Sequence, residues 1–310
     1  MGAMVSDRHE LSPEDEAYPE ALRDLSHPPK IFVRGSVRAL HGSCISIVGA
    51  RRCSPYGLAC AELAARIATE AGICVVSGGA VGCDQAAGRS ALAAKGRHIV
   101  VLGTGADVAY PSGVGALLDD ALEAGGAVVS LEPWGAGPRR YAFPKRNRVI
   151  AALSRALVIC EAGIPSGTFS TAETALEIGR ELLCMPGSIL SPLSAGTNRL
   201  IAEGATCIAD EDSLEVAISR IYGTLRFSHN RARGVTGLSR DEQRAMSALG
   251  ASPLRADALG VHLSMDVIST LRLLGSLETE GLVQRMPDGT YMQSKRALQL
   301  ATSFGTMEGR

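Results

Sequence analysis

Five cations crowd into the ten positions from 139 to 148: Arg139, Arg140, Lys145, Arg146 and Arg148. Tyr141, Phe143 and Pro144 stand among them, and no acid lies between Glu132 and Glu161. The chain has 31 lysines and arginines against 32 aspartates and glutamates, so the whole is nearly neutral while this block makes a local positive field that attracts phosphates. Phe143 beside Lys145 and Arg146 adds a flat apolar surface next to cations, the combination that holds unstacked bases and their backbone together. An arginine-rich loop that merely faces water needs no such surface. The block also runs directly into Val149, Ile150, Ala151, Ala152 and Leu153, the buried face of an expected helix, which fixes the cations in place.

Four further stretches offer anion-binding chemistry. Gly49, Ala50, Arg51, Arg52, Cys53 and Ser54 form a glycine turn that feeds a helix N-terminus, presenting backbone amides to an anion with Arg51 placed to close over it. Ser77, Gly78, Gly79, Ala80, Val81, Gly82, Cys83 and Asp84 form a second loop, whose glycines allow a close backbone approach and whose Asp84 is expected to cap the next helix rather than to catalyse. Ser166, Gly167, Thr168, Phe169, Ser170 and Thr171 again put hydroxyls at a helix start, with Glu173 just inside. Pro186, Gly187 and Ser188, followed by Ser194 to Asn198, make the last. Such loops on one sheet edge, joined by a cationic aromatic segment, form a groove suited to a phosphodiester backbone.

The elements that must carry these loops are legible in the hydrophobic rhythm. Short apolar, β-branched runs occur at 45–48, 74–77, 99–102, 127–130, 157–160 and 183–185. Helical patterns lie between them at 57–71, 85–94, 115–124, 147–153, 171–182 and 197–202. Strands too apolar to have a wet face, alternating with helices, predict an α/β fold: a Rossmann-like doubly wound parallel sheet covered on both sides. Ligands of such sheets bind beyond the carboxyl ends of the strands, where every unusual loop here falls.

The expected organisation is an N-terminal lead-in at 1–40, the Rossmann-like domain at 41–221, a linker at 222–237, a small C-terminal winged-helix-like domain at 238–293 and a flexible tail at 294–310. In the small domain Ser239 and Glu242 form a capping box. Helical patterns around Ala256 and from Asp266 to Glu280 follow, and Asp288-Gly289 turns a hairpin. Its expected recognition helix carries Arg272 as the sole cation, which argues against duplex reading.

Composition narrows the function classes. Near-neutrality excludes a wholly basic coat. The eight cysteines include no CxxC pair and read as buried reduced thiols, so no metal and no cofactor is expected, and the cytosol is the expected compartment. No apolar run approaches the roughly 20 residues needed to span a bilayer, so no membrane association is expected. The charged start Asp7-Arg8-His9-Glu10 is unlike a signal peptide.

The ordered series Val48-Gly49-Ala50-Arg51, Ser54-Pro55-Tyr56-Gly57, Ser77 to Asp84, Tyr110-Pro111, Phe143-Pro144-Lys145-Arg146-Asn147-Arg148, Ser166-Gly167, Thr171-Ala172, Gly179-Arg180, Pro186-Gly187 and Gly196 to Ala205 resembles the DprA/Smf family of DNA-processing proteins. The resemblance covers nearly the whole chain. It implies a cytoplasmic bacterial protein with an extended Rossmann fold that binds and protects single-stranded DNA without sequence preference. It further implies loading of a RecA-type recombinase in natural transformation, the competence process, or related DNA recombination. A homodimer and a non-catalytic role are implied too.

Carried across by position, the DNA-binding set is Gly49, Arg51, Arg52, Ser54, Phe143, Lys145, Arg146, Asn147, Arg148, Ser166, Gly167 and Thr168. Arg51, Lys145, Arg146 and Arg148 would neutralise phosphates, the small loops would donate amides, and Phe143 would stack a base or support the wall. Asn147 is expected to fix its loop rather than read a base. The chain departs from the family pattern at Cys83, at Gly88 where a histidine is common, and at Ser130-Leu131-Glu132, where a Ser-Glu pair is split. The alternative is a nucleotide-processing Rossmann enzyme resembling nucleoside monophosphate phosphoribohydrolases, with Glu173 or Glu161 as the reactive carboxylate.

Overall fold

The computed structural model describes residues 7–224, 238–294 and 296–298. Most of the expected linker and most of the expected tail lie outside the described residues.

The first two strands, β1 (Arg8–Leu11) and β2 (Ile31–Gly35), come from the lead-in. The main run follows as β3 (Cys44–Val48), β4 (Cys74–Ser77), β5 (His98–Leu102), β6 (Ala127–Ser130), β7 (Ala156–Ile159), β8 (Glu181–Cys184) and β9 (Thr206–Cys207). Together they form a nine-stranded sheet in the order β1-β2-β6-β5-β4-β3-β7-β8-β9. Pairing is parallel from β6 across to β9, while β2 joins β6, and β1 joins β2, antiparallel. The expected parallel sheet is therefore extended at one edge by two strands of opposite direction.

The connecting helices are α1 (Pro55–Glu70), α2 (Cys83–Ala93), α3 (Gly115–Glu123), α4 (Ala142–Ala152), α5 (Thr168–Glu177), α6 (Ala195–Ala202) and α7 (Glu211–Tyr222). Strands β3 to β6 are laid down in one direction, and α4 then carries the chain back to place β7 on the other side of β3. The reversal opens a crevice between the carboxyl ends of β3 and β7, the place where open α/β sheets take ligands.

Alternation along each strand explains why both faces are covered. Ile45, Ile47, Val75 and Val158 point into one core, shared with the small residues Ala61, Ala64, Ala65 and Ala68 of α1. Val48, Val76, Val101, Leu157 and Ile159 point into the other, against Val149, Ile150 and Leu153 from α4 and the segment after it. Each such aliphatic side chain contributes roughly 1.5–3 kcal/mol when fully buried. The end of α4 is tied down by polar bonds as well: Ser46 donates to Ile150 O at 2.6 Å, and Arg180 donates to Ala152 O at 3.0 Å.

Several boundaries differ from expectation for local reasons. Helix α4 begins at Ala142, because Pro144 falls in the first turn, where a missing amide donor does no harm. Helix α5 stops at Glu177 before Gly179, whose φ of +68° ends the helix and leaves Glu181 free to start β8. Helix α7 was not anticipated, although Asp210 and Ser213 form a full capping box at its start.

The C-terminal unit contains α8 (Arg240–Ala251), α9 (Ala256–Leu263) and α10 (Val267–Thr279), then the hairpin β10 (Val283–Arg285) and β11 (Tyr291–Gln293). The Ser239 capping box is present, with the Ser239 amide donating to Glu242 at 2.7 Å. Leu249, Leu259, Leu263, Leu274 and Leu277 build its core. The exposed side of α10 carries Val267, Ile268 and Leu271.

Candidate nucleic-acid interface

Helix α4 starts at the carboxyl edge of the sheet, so its first two turns deliver the cationic block to the rim of the crevice. Phe143, partly buried, is seated on the backbone at Gly103, where an added Cβ would lie 2.8 Å from the ring. Tyr110 packs against the same ring with centroids 5.7 Å apart. On the other side the Arg51 guanidinium stands over Phe143, 5.6 Å from its centroid. Exposed Lys145 lies over the Tyr141 ring at 4.9 Å, and Arg139 donates to the Tyr141 hydroxyl at 2.9 Å. Among the described residues, none of Arg51, Arg52, Arg140 and Lys145 has an acidic partner within ion-pair distance. The rim therefore carries solvent-facing cations interleaved with three aromatic rings.

Further along α4, Asn147 donates to Gly167 O at 3.3 Å and to Ser170 at 3.1 Å. It ties α4 to the start of α5, where the Ser166 and Thr168 hydroxyls bond at 2.7 Å. Gly167 is exposed at the tip and Thr168 is buried. Arg148 turns to the opposite flank and donates to Ser26 of the lead-in at 3.2 Å.

Two residues expected at the phosphates, Arg146 and Ser54, lie one layer beneath. Arg146 is only 4% exposed, and its Nη1 donates to Gly78 O at 2.5 Å and Val101 O at 2.6 Å. Burial lowers its pKa to about 10, with Asp84 opposing that shift and Arg51 adding to it, so the guanidinium stays charged at neutral pH. Arg51 and Arg146 are thus electrostatic neighbours on one edge of the sheet, but Arg146 braces the rim rather than facing solvent. Ser54 is 4% exposed: its amide and hydroxyl both donate to the Glu161 carboxylate, at 2.7 and 2.6 Å, while its Oγ accepts from Gly57 N to cap α1. The Gly49 amide donates to Asp84.

Asp84 does not cap α2 as expected: Gly82 holds the cap position without a side-chain bond, and Asp84 is the second residue of the helix. Its buried carboxylate accepts from the amides of Gly49, Gly78 and Ala80, the cradle that the glycine loops were expected to offer a phosphate. Burial raises its pKa, and Arg146 and the three amides work against that rise. Gly78 separates the two charges closely: a Cβ there would lie 2.0 Å from Arg146 Nη1 and 2.7 Å from Asp84 Oδ2. Gly82 has φ +94°, and a Cβ would meet Ala50 O at 2.4 Å, so the loops before α1 and α2 touch through backbone.

The carboxylates of the alternative enzymatic reading are also located. Glu161 is buried with both oxygens accepting from Ser54, and Glu173 lies exposed on α5. The space a side chain at Gly88 would need is filled by the His98 imidazole, whose Nε2 would be 2.5 Å from a Cβ there. Tyr110 was not foreseen as a rim residue. The Tyr110-Pro111 motif was its only sequence signal, since α4 and the loop after β5 meet only in the fold.

Comparison with known proteins identifies the family. Residues 9–218 match the family described as DNA recombination-mediator protein A. The chain belongs to that family. Residues 230–289 match the DprA winged helix domain. Protein Smf of Escherichia coli is 38% identical over 213 residues, 66% of this chain and 56% of that protein, so the chain matches little more than half of that relative's length. A putative DNA processing protein DprA from Mycobacterium tuberculosis is 36% identical over 290 residues, covering 88% of this chain and 74% of that one. Among solved structures, DNA processing protein A from Streptococcus pneumoniae aligns with a TM-score of 0.63 and 36% identity over 67% of this chain and 73% of that one. DNA processing protein A from Helicobacter pylori, which binds single-stranded DNA, aligns with a TM-score of 0.62 and 27% identity over 70% and 97%. Among the described residues, no helix of this family member is long and apolar enough to cross a membrane.

Proposed function

We propose that the protein is a cytoplasmic, non-catalytic recombination mediator that binds single-stranded DNA along the rim of the β3/β7 crevice, protects it, and passes it to a RecA-type recombinase as a homodimer. The observation that supports this reading most is the stack of Arg51 on Phe143 at the start of α4, with exposed Arg52 and Lys145 on the same edge. Exposed cations beside aromatic rings suit a flexible strand, whose phosphates are neutralised while its bases find flat surfaces. The hydrogen bonds from Asn147 hold the Ser166-Gly167-Thr168 loop as the far wall of the same groove.

The single-stranded DNA binding of the Helicobacter pylori relative supports extending the same ligand class to this chain. The test is a salt-titrated comparison of labelled oligothymidylate, mixed-sequence single strands and duplex. Single strands should bind tightest, with little dependence on base composition and a steep loss as salt rises. Unchanged single-strand affinity in the Arg51→Ala/Lys145→Ala double variant would refute the reading.

A further inference from the structure

We propose that Cys53 and Cys83 form a peroxide-sensitive dithiol whose oxidation to a disulfide weakens the DNA-binding rim; its effect on DNA rests on the binding reading above. Six of the eight cysteines are buried, Cys207 is exposed, and Cys53 is half-buried. Cys53 sits just before the Ser54 cap of α1, beside exposed Arg51 and Arg52, and Cys83 is the first residue of α2. Both sulfurs therefore stand at helix N-termini, positions that favour a thiolate.

The two loops are locked together around the pair. The Cys83 amide donates to Ala50 O at 3.4 Å, Gly82 abuts the carbonyls of Ala50 and Arg51, and a Cβ at Gly49 would lie 2.6 Å from Cys83 Sγ. The side chains of Cys53 and Cys83 hydrogen-bond to each other, which holds the Cys53 thiol below its ordinary pKa and the Cys83 thiol above it. Cys53, half-buried, is the thiol a peroxide can reach and therefore the nucleophile, and buried Cys83 is the resolving thiol.

The chemistry balances with a peroxide as oxidant. The Cys53 thiolate attacks one peroxide oxygen, the O–O bond breaks, and the departing hydroxide takes a proton to become water, leaving a sulfenic acid. Cys83 sulfur then attacks the Cys53 sulfur, the S–O bond breaks, and the Cys83 proton leaves with that oxygen as a second water. To form the bond the two sulfurs must close to about 2.05 Å. Cys83 is fully buried and its thiol donates to Gly57 O at 3.6 Å, so the movement falls on the Arg51–Cys53 turn. That turn holds Arg51 over Phe143, and drawing it inward lifts a cation from the rim.

The experiment treats the full reduced chain with hydrogen peroxide, blocks remaining thiols, maps linked peptides by mass spectrometry, and measures single-strand affinity before and after a thiol reductant. A Cys53–Cys83 linkage is expected, with affinity lowered by about fivefold, the worth of one phosphate contact near 0.1 M salt, and restored on reduction. Cys53→Ser should bind DNA as the reduced protein does and lose the peroxide response. The proposal is overturned if Cys207 oxidises while no Cys53–Cys83 linkage forms, or if the linked protein binds as tightly as the reduced one. Reduced protein that fails to bind DNA strikes the binding reading instead, and the linkage map still decides the chemistry.

Discussion

Lys145 and Arg146 are adjacent in sequence, and the structure gives them opposite duties, which a paired substitution can separate. Lys145 is exposed over Tyr141 and, among the described residues, has no acidic partner within ion-pair distance, so Lys145→Ala should leave stability within about 0.5 kcal/mol of the parent. Removing one phosphate contact to a single strand lowers the slope of log affinity against log salt by about 0.7, which near 0.1 M salt is a loss of roughly fivefold. Adding Arg51→Ala should bring the loss to roughly 25-fold and the slope change to about 1.4. Arg146 instead bridges Gly78 O and Val101 O and faces Asp84 across Gly78. Arg146→Met leaves the buried Asp84 carboxylate without its counter-charge, a class of change that costs about 3–5 kcal/mol. Set against a typical domain stability of about 5–15 kcal/mol, that shift is readily seen in urea unfolding. Fluorescence anisotropy on labelled oligothymidylate between about 50 and 200 mM salt gives the slopes. Arg146→Lys, which keeps the charge but not the fork, should lower stability less and leave the slope unchanged. An Arg146 variant that unfolds like the parent yet drops the slope by a full contact would refute the assignment of Arg146 as a brace.

Three further outcomes are expected. Gly78→Ala places a methyl between Arg146 and Asp84, both pinned, and should lower stability by about 1–3 kcal/mol in thermal or urea melts. Phe143→Leu removes the ring that Arg51 rests on and should weaken single-strand binding by roughly fivefold with a salt slope lower by about 0.7, the loss of one phosphate contact; an unchanged slope would show that Arg51 keeps its place without the ring. His98 is buried with its pKa lowered to about 4, by burial first, against an ordinary value of 6.5. The unfolded chain takes up this proton first, so the His98 contribution is complete above about pH 6.5 and is lost as pH falls toward about 4, by at most about 1.4 kcal/mol per unit. Urea unfolding at neutral and acid pH, repeated on His98→Gln, should show a flatter pH dependence in the variant.

The central strands were legible because β3, β4, β5, β6 and β7 are buried along their whole length and, His98 apart, consist of apolar or small residues. Strand β1, with the sequence Arg8-His9-Glu10-Leu11, gives no such signal: an edge strand with one neighbour keeps polar side chains. The rim set was legible as a list of residue types, and its layering was not. With α4 started at its observed first residue, Ala142, Arg146, Val149 and Ile150 follow the spacing of one helix face, which puts Arg146 inward and Lys145 outward. Pro144 obscured that start. Tertiary partners account for the rest: nothing in the Gly49 loop says that its amide will close on Asp84, which belongs to the helix after the next strand.

A phosphate seeking those three amides would have to evict a covalently attached rival whose effective concentration no small molecule can match. Free nucleotides would therefore meet an occupied berth, whereas on the proposed reading a long strand would gather many weak holds along the outer lip at once. A mediator built this way would not need to compete with the metabolite pool for its polymer.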